Sequence, residues 1–485
     1  MTMAFWNRRR SIDLMTAPRE GPALKKTLGW PHLLALGVGA IVGTGILTLI
    51  GVGAGLAGPG VMISFGLAGL VCACAALAYA ELSTMMPAAG SAYTYSYAVL
   101  GEMLAWIVGW SLILEYSLVV SAVAVGWAGY AVGFLEGLGV TLPAALAAGP
   151  HVEGGLINLP AVAIIAVVTG LLLLGTRESA TLNAVLVVVK IVALIVFVAI
   201  ALPAFDPANF QPFLPNGWGA PTFPFQETLF GIPPVQTGVM AAAAIIFFAF
   251  YGFDAISTAA EETKNPGRDL AIGIVGSMVV CTILYMIVAA AAIGARPPAA
   301  FAESEEPLAF ILRELGQGTA AQWIGASAVI ALPTVLLAFL FGQSRIFLGM
   351  ARDGLLPRGL AKVSSRGVPA VVTIFTAVVV AALAGVMRLD ELASLANAGT
   401  LAAFFAVGLS LIVLRLREPN RPRVFRAPLF WLVGVICMVG CVVFFFSLRT
   451  QTQLWFLIWN AVGLVIYLVW SARNSRLARG EEPAA

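Results

Sequence analysis

Twelve long apolar runs, near residues 31–55, 61–86, 101–133, 159–175, 182–202, 237–260, 269–294, 322–350, 368–387, 391–415, 427–448 and 453–472, decide what this chain can fold into. As a helix, an apolar stretch of roughly 20 residues spans the hydrocarbon of a bilayer. Lipid offers no hydrogen bonds, so each spanning segment must satisfy its own backbone, which a helix does. The sequence therefore predicts an all-α polytopic membrane protein with 12 transmembrane helices. Charge agrees: 11% of residues are charged, against the roughly 25% that cover a soluble domain. The 50 glycines and 27 prolines, awkward in a soluble helical protein, are tolerated in membrane helices. Runs one, three and eight exceed the minimum span and should be tilted or interrupted.

Basic residues set the expected orientation. With the N-terminus inside, 22 of the 27 fall on cytoplasmic segments, only Arg296, Arg313, Arg388 and Arg449 fall outside, and Lys190 lies within a run. The opposite topology would reverse the positive-inside bias. Both termini are expected in the cytoplasm and the chain in a plasma (inner) membrane, with membrane lipid around it. The first run reads as a retained helix and not a cleaved signal peptide. The organisation expected is an N-terminal tail (1–29), helices 1–5 (30–202), an extracellular connection (203–236) ordered as a cap, helices 6–10 (237–415), helices 11–12 (427–472) and a C-terminal tail (473–485).

Metal and enzyme chemistry find little support. Cys72, Cys74, Cys281, Cys437 and Cys441 all fall in apolar runs and read as packing residues, and His32 and His151 are far apart. No metal, cofactor or nucleic acid is expected, and no catalytic constellation is visible.

Two segments place glycine and polar residues in mid-membrane. One is Gly37-Val38-Gly39-Ala40-Ile41-Val42-Gly43-Thr44-Gly45-Ile46; the other is Phe247-Phe248-Ala249-Phe250-Tyr251-Gly252-Phe253-Asp254-Ala255. A helix that unwinds there exposes backbone groups useful only where they line a cavity. N–H groups at a half-helix start attract a carboxylate and loose carbonyls an ammonium, so backbone alone can hold an α-amino acid. The alternative for the first segment is helix packing, since Gly39 and Gly43 form a GxxxG pair. The second segment favours the cavity: it falls in run six, five after the first, as an inverted repeat of two five-helix halves requires. The GxGxxG at Gly53, Gly55 and Gly58 lacks a βαβ setting and reads as an extracellular turn.

The strings GVGAIVGTGI (37–46), ELSTMMPAAGSAYTYSYAVLGE (81–102), WSLILEYSLVVSAVA (110–124), TRESATLNAVLVVVKI (176–191), FFAFYGFDAISTAAEETKNPGRDL (247–270) and GQSRIFLGMARDGLLP (342–357) resemble the cationic amino acid transporter family of the amino acid–polyamine–organocation superfamily. The resemblance covers nearly the whole chain. It implies the leucine-transporter fold: helices 1–5 and 6–10 as inverted repeats, 1 and 6 broken, 11 and 12 appended. It places substrate between the breaks, carboxylate at Val42, Gly43, Thr44 and Gly45, ammonium at carbonyls of Gly39, Ala40, Ile41 and 247–250. Phe250 is the implied aromatic lid, with Phe247 the alternative.

Lys190 stands about eight residues into the fifth run, where an unpaired charge costs several kcal/mol. Desolvation favours a neutral amine, bringing proton release within reach of physiological pH. The matching family position holds a lysine in the place of a sodium ion, which implies a proton as coupling ion; snorkelling to the interface is the alternative. Glu115, in the third run, should face the interior, as a support for the sixth helix, a member of a proton path or a plain hydrogen bond. Asp254 reads as a capping carboxylate before substrate contact. Glu81 and Glu102 read as interfacial or gate-linking, and Arg345, Arg352, Asp353 and Arg358, in the basic loop after the eighth run, belong with the inside-facing gate, with topology by charge the alternative.

Run eight carries no acid to pair with a cationic side chain, and alignment with the family puts bulky Phe339 where a smaller residue would leave room. The expected function is proton-coupled symport of L-amino acids by alternating access, small neutral ones ahead of cationic ones. The alternatives are an amino acid/polyamine exchanger and, from another class, a transporter-like amino acid sensor.

Overall fold

The computed structural model describes residues 8–13, 28–86, 90–174, 180–230, 236–259, 263–361, 364 and 369–481. Among the described residues the fold is helical, its only β feature an isolated bridge between Leu28 and Thr263. Each apolar run holds a helix. The first is α1a (Trp30–Ile41) followed by α1b (Thr44–Leu47 and, after a kink, Leu49–Ala57). Then come α2 (Val61–Met85), α3 (Glu102–Gly137), α4 (Leu159–Leu173) and α5 (Ala180–Ala201). The sixth run gives α6a (Val239–Ile246), a tighter turn at Phe247–Phe250 and α6b (Ala255–Thr258). The rest are α7 (Pro266–Ala295), α8 (Gly318–Arg352), α9 (Ala370–Val386), α10 (Leu389–Arg417), α11 (Phe430–Ser447) and α12 (Thr450–Ile466).

Local chemistry accounts for several boundaries. Prolines stand in the first turn of α1a, α4 and α7, where no intrahelical N–H is needed. The Asn158 side chain caps α4 by accepting from the Ala161 amide at 3.1 Å. Among the described residues, nine stretches are long and apolar enough to cross a membrane, one of them Leu49–Met85, which runs through α1b and α2. Trp30–Ile41, Leu159–Leu173 and Ala370–Val386 are shorter and apolar. Val185, Val188, Val192 and Ile195 of α5, and Val371, Phe375 and Val378 of α9, are exposed. Apolar faces of this extent suit lipid and not water, and the chain is an integral membrane protein.

α3 packs along α8 and α10 through the centre of the bundle, while α7 packs against α1a and α2. Of the three over-long runs, α1 is broken and α3 and α8 are not, α8 continuing through Pro333. The 203–236 connection is ordered where described: Asn216 Nδ2 and the Gly238 amide both donate to Leu56 O at 2.9 Å. Two expectations need correction. Gly53 and Gly55 belong to a helix, and only Gly58, at φ +61°, makes the turn. A buried helix, Ser91–Val99, fills what the apolar pattern left as a connection. Of the basic residues counted for orientation, Arg19, Lys25, Lys26, Arg177, Lys362 and Arg366 lie outside the described residues.

Candidate functional site

Both suspect segments depart from helix. α1a ends at Val42, which turns extended (φ −73°, ψ 96°), and Gly43 follows at φ −150°, ψ −148° before Thr44 re-enters helix. In the sixth run Tyr251 is extended (φ −64°, ψ 154°) and Gly252 takes φ +109°, which favours glycine. The two interruptions touch. Gly45 packs on the backbone of Ala249 with no space for a side chain, and a Cβ on Gly252 would stand 2.7 Å from the carbonyl carbon of Ala40. Gly43 faces α8 without crowding: a Cβ there would stand in ordinary contact with Val335 at 3.7 Å and Leu332 at 3.8 Å.

Carbonyls freed in α1 are taken up by neighbouring helices. Lys190 Nζ of α5 donates to Gly39 O at 2.8 Å, and the lysine is 4% exposed. It therefore points into the bundle and not to an interface. Tyr285 of α7 donates to Ile41 O at 2.7 Å, and Tyr130 of α3 to Leu47 O at 2.6 Å. At the start of α1b the first-turn amides have no intrahelical acceptors. The buried Thr44 hydroxyl beside them has no hydrogen-bond partner.

α6 is held from α10. Asn397 Nδ2 donates to Ala244 O at 2.6 Å and Ile245 O at 3.0 Å, while its Oδ1 accepts from the Tyr251 hydroxyl. Asp254 occupies the N-cap position of α6b, where its carboxylate lies against the backbone amides of Gly252 and Ala255 and accepts from the Tyr116 hydroxyl at 3.3 Å. Glu115, one residue before, is buried with Oε2 unpartnered. Phe339 of α8 packs on Tyr116, ring centroids 5.2 Å apart.

The aromatic candidates divide. Phe250 packs with Phe65 of α2 and Tyr285, centroids 6.4 and 5.4 Å away, so it touches the ring whose hydroxyl holds Ile41. Phe247 faces Phe404 of α10 and Phe444 of α11. The structure thus gathers Gly39 to Gly45, Lys190, Phe250, Asp254, Glu115 and Phe339 around the two interruptions, with Phe247 on the α10 and α11 side.

Asn397, Tyr285, Tyr130 and Tyr116 escaped the sequence reading. Asn397 carried a signal, an amide alone in an otherwise apolar stretch of α10. The tyrosines carried none, because a tyrosine in a membrane helix reads equally as packing.

Residues that the sequence suggested for a gate form a second cluster at one end of the bundle. Asp353 accepts from Tyr93 at 2.7 Å and pairs with Arg10 at 3.7 Å. Glu102 pairs with Arg8 at 3.3 Å and accepts from Tyr97 and Tyr467 at 3.1 Å. Arg345 stacks on Phe341, 3.9 Å from its centroid.

An apolar bundle with two touching helix breaks lined by backbone groups has the architecture of a membrane transporter. The chain belongs to the amino acid permease family, whose model matches residues 28–470, within the amino acid–polyamine–organocation superfamily. It is 45% identical over 475 residues to a branched-chain amino acid permease of Bacillus subtilis, covering 97% of this chain and 98% of the relative. A methylthioribose transporter of the same organism is 40% identical over 473 residues, with 97% and 98% covered. The vacuolar cationic amino acid transporter 2 of Arabidopsis thaliana is 38% identical over 418 residues, with 85% and 63% covered.

Proposed function

We propose that this chain is a proton-coupled symporter of neutral, branched-chain-type L-amino acids, working by alternating access in a plasma (inner) membrane with both termini cytoplasmic. The observation that carries the reading is the contact between the two interruptions, Gly45 on Ala249 and Gly252 on Ala40, beside an unpartnered Thr44 hydroxyl. The substrate carboxylate would meet the amides of Gly43, Thr44 and Gly45, and the ammonium the carbonyls at the ends of α1a and of the 247–250 turn. In this reading the 12 helices are all spans, and helices 1–5 and 6–10 are inverted repeats.

Three supports favour a neutral side chain. Leu332 and Val335 of α8 face Gly43 at the α1 break and Phe339, one turn on, packs on Tyr116, with no carboxylate among them. The relative at 45% identity carries a branched-chain name. An apolar side chain needs burial and no counter-charge. One observation favours a cationic side chain, the buried and unpartnered Oε2 of Glu115.

Coupling is assigned to Lys190, whose ammonium bridges α5 to α1a three residues before the break. Protonated, it ties the two helices together; neutral, it donates more weakly and lets α1a move. Purified protein in liposomes, offered radiolabelled leucine, isoleucine, valine, alanine, lysine and arginine with an imposed proton gradient, tests substrate and coupling together. Leucine-type accumulation that collapses with a protonophore is expected. Uptake that needs sodium, or counterflow indifferent to the proton gradient, would replace symport with another mode.

A further inference from the structure

α3 carries Gly126 at the level of the α1 break. A Cβ there would stand 3.1 Å from Thr44 Oγ1 and 3.2 Å from Thr44 Cβ, and closer still to its methyl group. The Thr44 side chain thus lies in the notch that a missing Cβ leaves on α3. One turn along α3, Tyr130 donates to Leu47 O, the carbonyl that ends the first turn of α1b. The four residues Thr44–Leu47 are therefore seated on α3 at both ends, by a notch and by a hydroxyl.

This seat matters because Thr44–Leu47 is too short to hold itself. A single helical turn fixes several dihedrals for one hydrogen bond and is unfavourable alone. Thr48 follows at φ −122°, so the turn is not a rigid continuation of Leu49–Ala57 either. The Thr44 hydroxyl, 1% exposed and unpartnered, is the one polar side chain of the turn Thr44–Leu47, and its direction depends on a single χ1 rotor. A β-branched side chain on helix has few allowed χ1 wells, so its surroundings choose among them.

We propose that Gly126 is a positioning residue for the substrate site: by leaving a notch for the Thr44 methyl group it aims the Thr44 hydroxyl and sets the first turn of α1b against α3. It does not touch substrate. The inference rests on the transporter reading above and deepens it, since it names what orients the carboxylate end of that site. A Cβ at residue 126 forces either a swing of Thr44 χ1 or a retreat of α1b from α3, and both misplace the donor.

The test is a double-variant cycle in proteoliposomes, reading KM and Vmax for L-leucine, with detergent thermal unfolding as a fold check. Gly126→Ala should raise KM on the order of tenfold, the size of one overpacked methyl, with Vmax changed far less. Thr44→Ser removes the methyl group that Gly126 accommodates and keeps the hydroxyl. In the Thr44→Ser background, Gly126→Ala should therefore change KM by no more than about twofold, a coupling of contacting residues. A Gly126→Ala protein with unaltered KM overturns the proposal. So does a loss of equal size in both backgrounds, which would mark Gly126 as general packing. If Gly126→Ala alone fails to fold, recovery of folded, transporting protein in the Thr44→Ser background supports the proposal and failure in both overturns it. A wild-type protein that takes up no amino acid would instead remove the transporter reading itself.

Discussion

Glu81 and Arg415 are joined by two parallel hydrogen bonds, Nε to Oε1 and Nη2 to Oε2, each 2.7 Å long, in the buried junction of α2 with α10. The same carboxylate accepts from Arg423 Nε at 3.0 Å and from the Ala427 amide at 2.8 Å. One side chain thereby ties α2 to α10 and to the loop that leads into α11. Glu81 is 1% exposed and the Arg423 side chain fully buried, so neither charge has water to fall back on.

Removing that carboxylate should be among the most damaging single changes in the chain. Glu81→Ala leaves two guanidinium groups together without an anion, a loss of about 3–5 kcal/mol for a broken buried pair. Glu81→Gln keeps the shape and accepts with one oxygen, so it should fall between. Thermal unfolding in detergent orders the three proteins, and an Ala variant melting with the wild type would show that the junction contributes no stability.

Asn397 should prove as important to transport as any residue at the breaks themselves. Its amide holds Ala244 O and Ile245 O and accepts from Tyr251, the last helical carbonyls and first extended residue of the sixth run. Asn397→Ala leaves these buried groups unmatched, at about 1–3 kcal/mol. Asn397→Asp should be worse, because a carboxylate oxygen would face the two carbonyls that the amide nitrogen now satisfies. Uptake kinetics decide the order; an Asp variant that outperforms Ala would contradict this geometry.

Gly252→Ala should abolish uptake. Two penalties coincide there: φ of +109° is hostile to any Cβ, and the new methyl would press into the Ala40 carbonyl, 3.0 Å from its oxygen. Gly252→Ala protein that is monodisperse after purification yet transports normally would mean that the contact between the two interruptions can be loosened at no cost.

Much of this arrangement was legible because membranes punish irregular backbone. Gly37 to Ile46 and Phe247 to Ala255 stood out because glycine and polar residues cluster there in mid-membrane, five runs apart, and both segments are interrupted as read. Lys190 stood out for the same reason, a charge deep in an apolar run that had to be buried against something. What answers it, Gly39 O, lies 151 positions away and left no local mark. Ser91–Val99 was hidden because its small and aromatic residues show no helical stripe: the helix is buried on every side. Gly126 was invisible in a chain with 50 glycines, and only its neighbour Thr44 gives it meaning.

Lys190 gives the sharpest test of coupling, because protonation and packing make different demands on it. α5 lies tight against α1a here: a Cβ on Gly39 would meet Val187 at 2.5 Å and Asn183 Oδ1 at 3.3 Å, so α1a cannot shift without disturbing the Lys190 bond. A charge-assisted hydrogen bond of about 1.5–3 kcal/mol corresponds to roughly ten- to a hundredfold in an equilibrium. Proton-driven uptake by Lys190→Ala should fall by that order, while counterflow, which needs no net proton movement, should persist. Lys190→Arg separates the two roles, since a guanidinium restores charge and donors but stays protonated throughout. If Lys190 only braces α1a, Arg should rescue accumulation; if it carries the proton, Arg should leave accumulation lost. Proton-driven accumulation measured in liposomes decides between them, and full accumulation by the Ala variant would place the proton on another group.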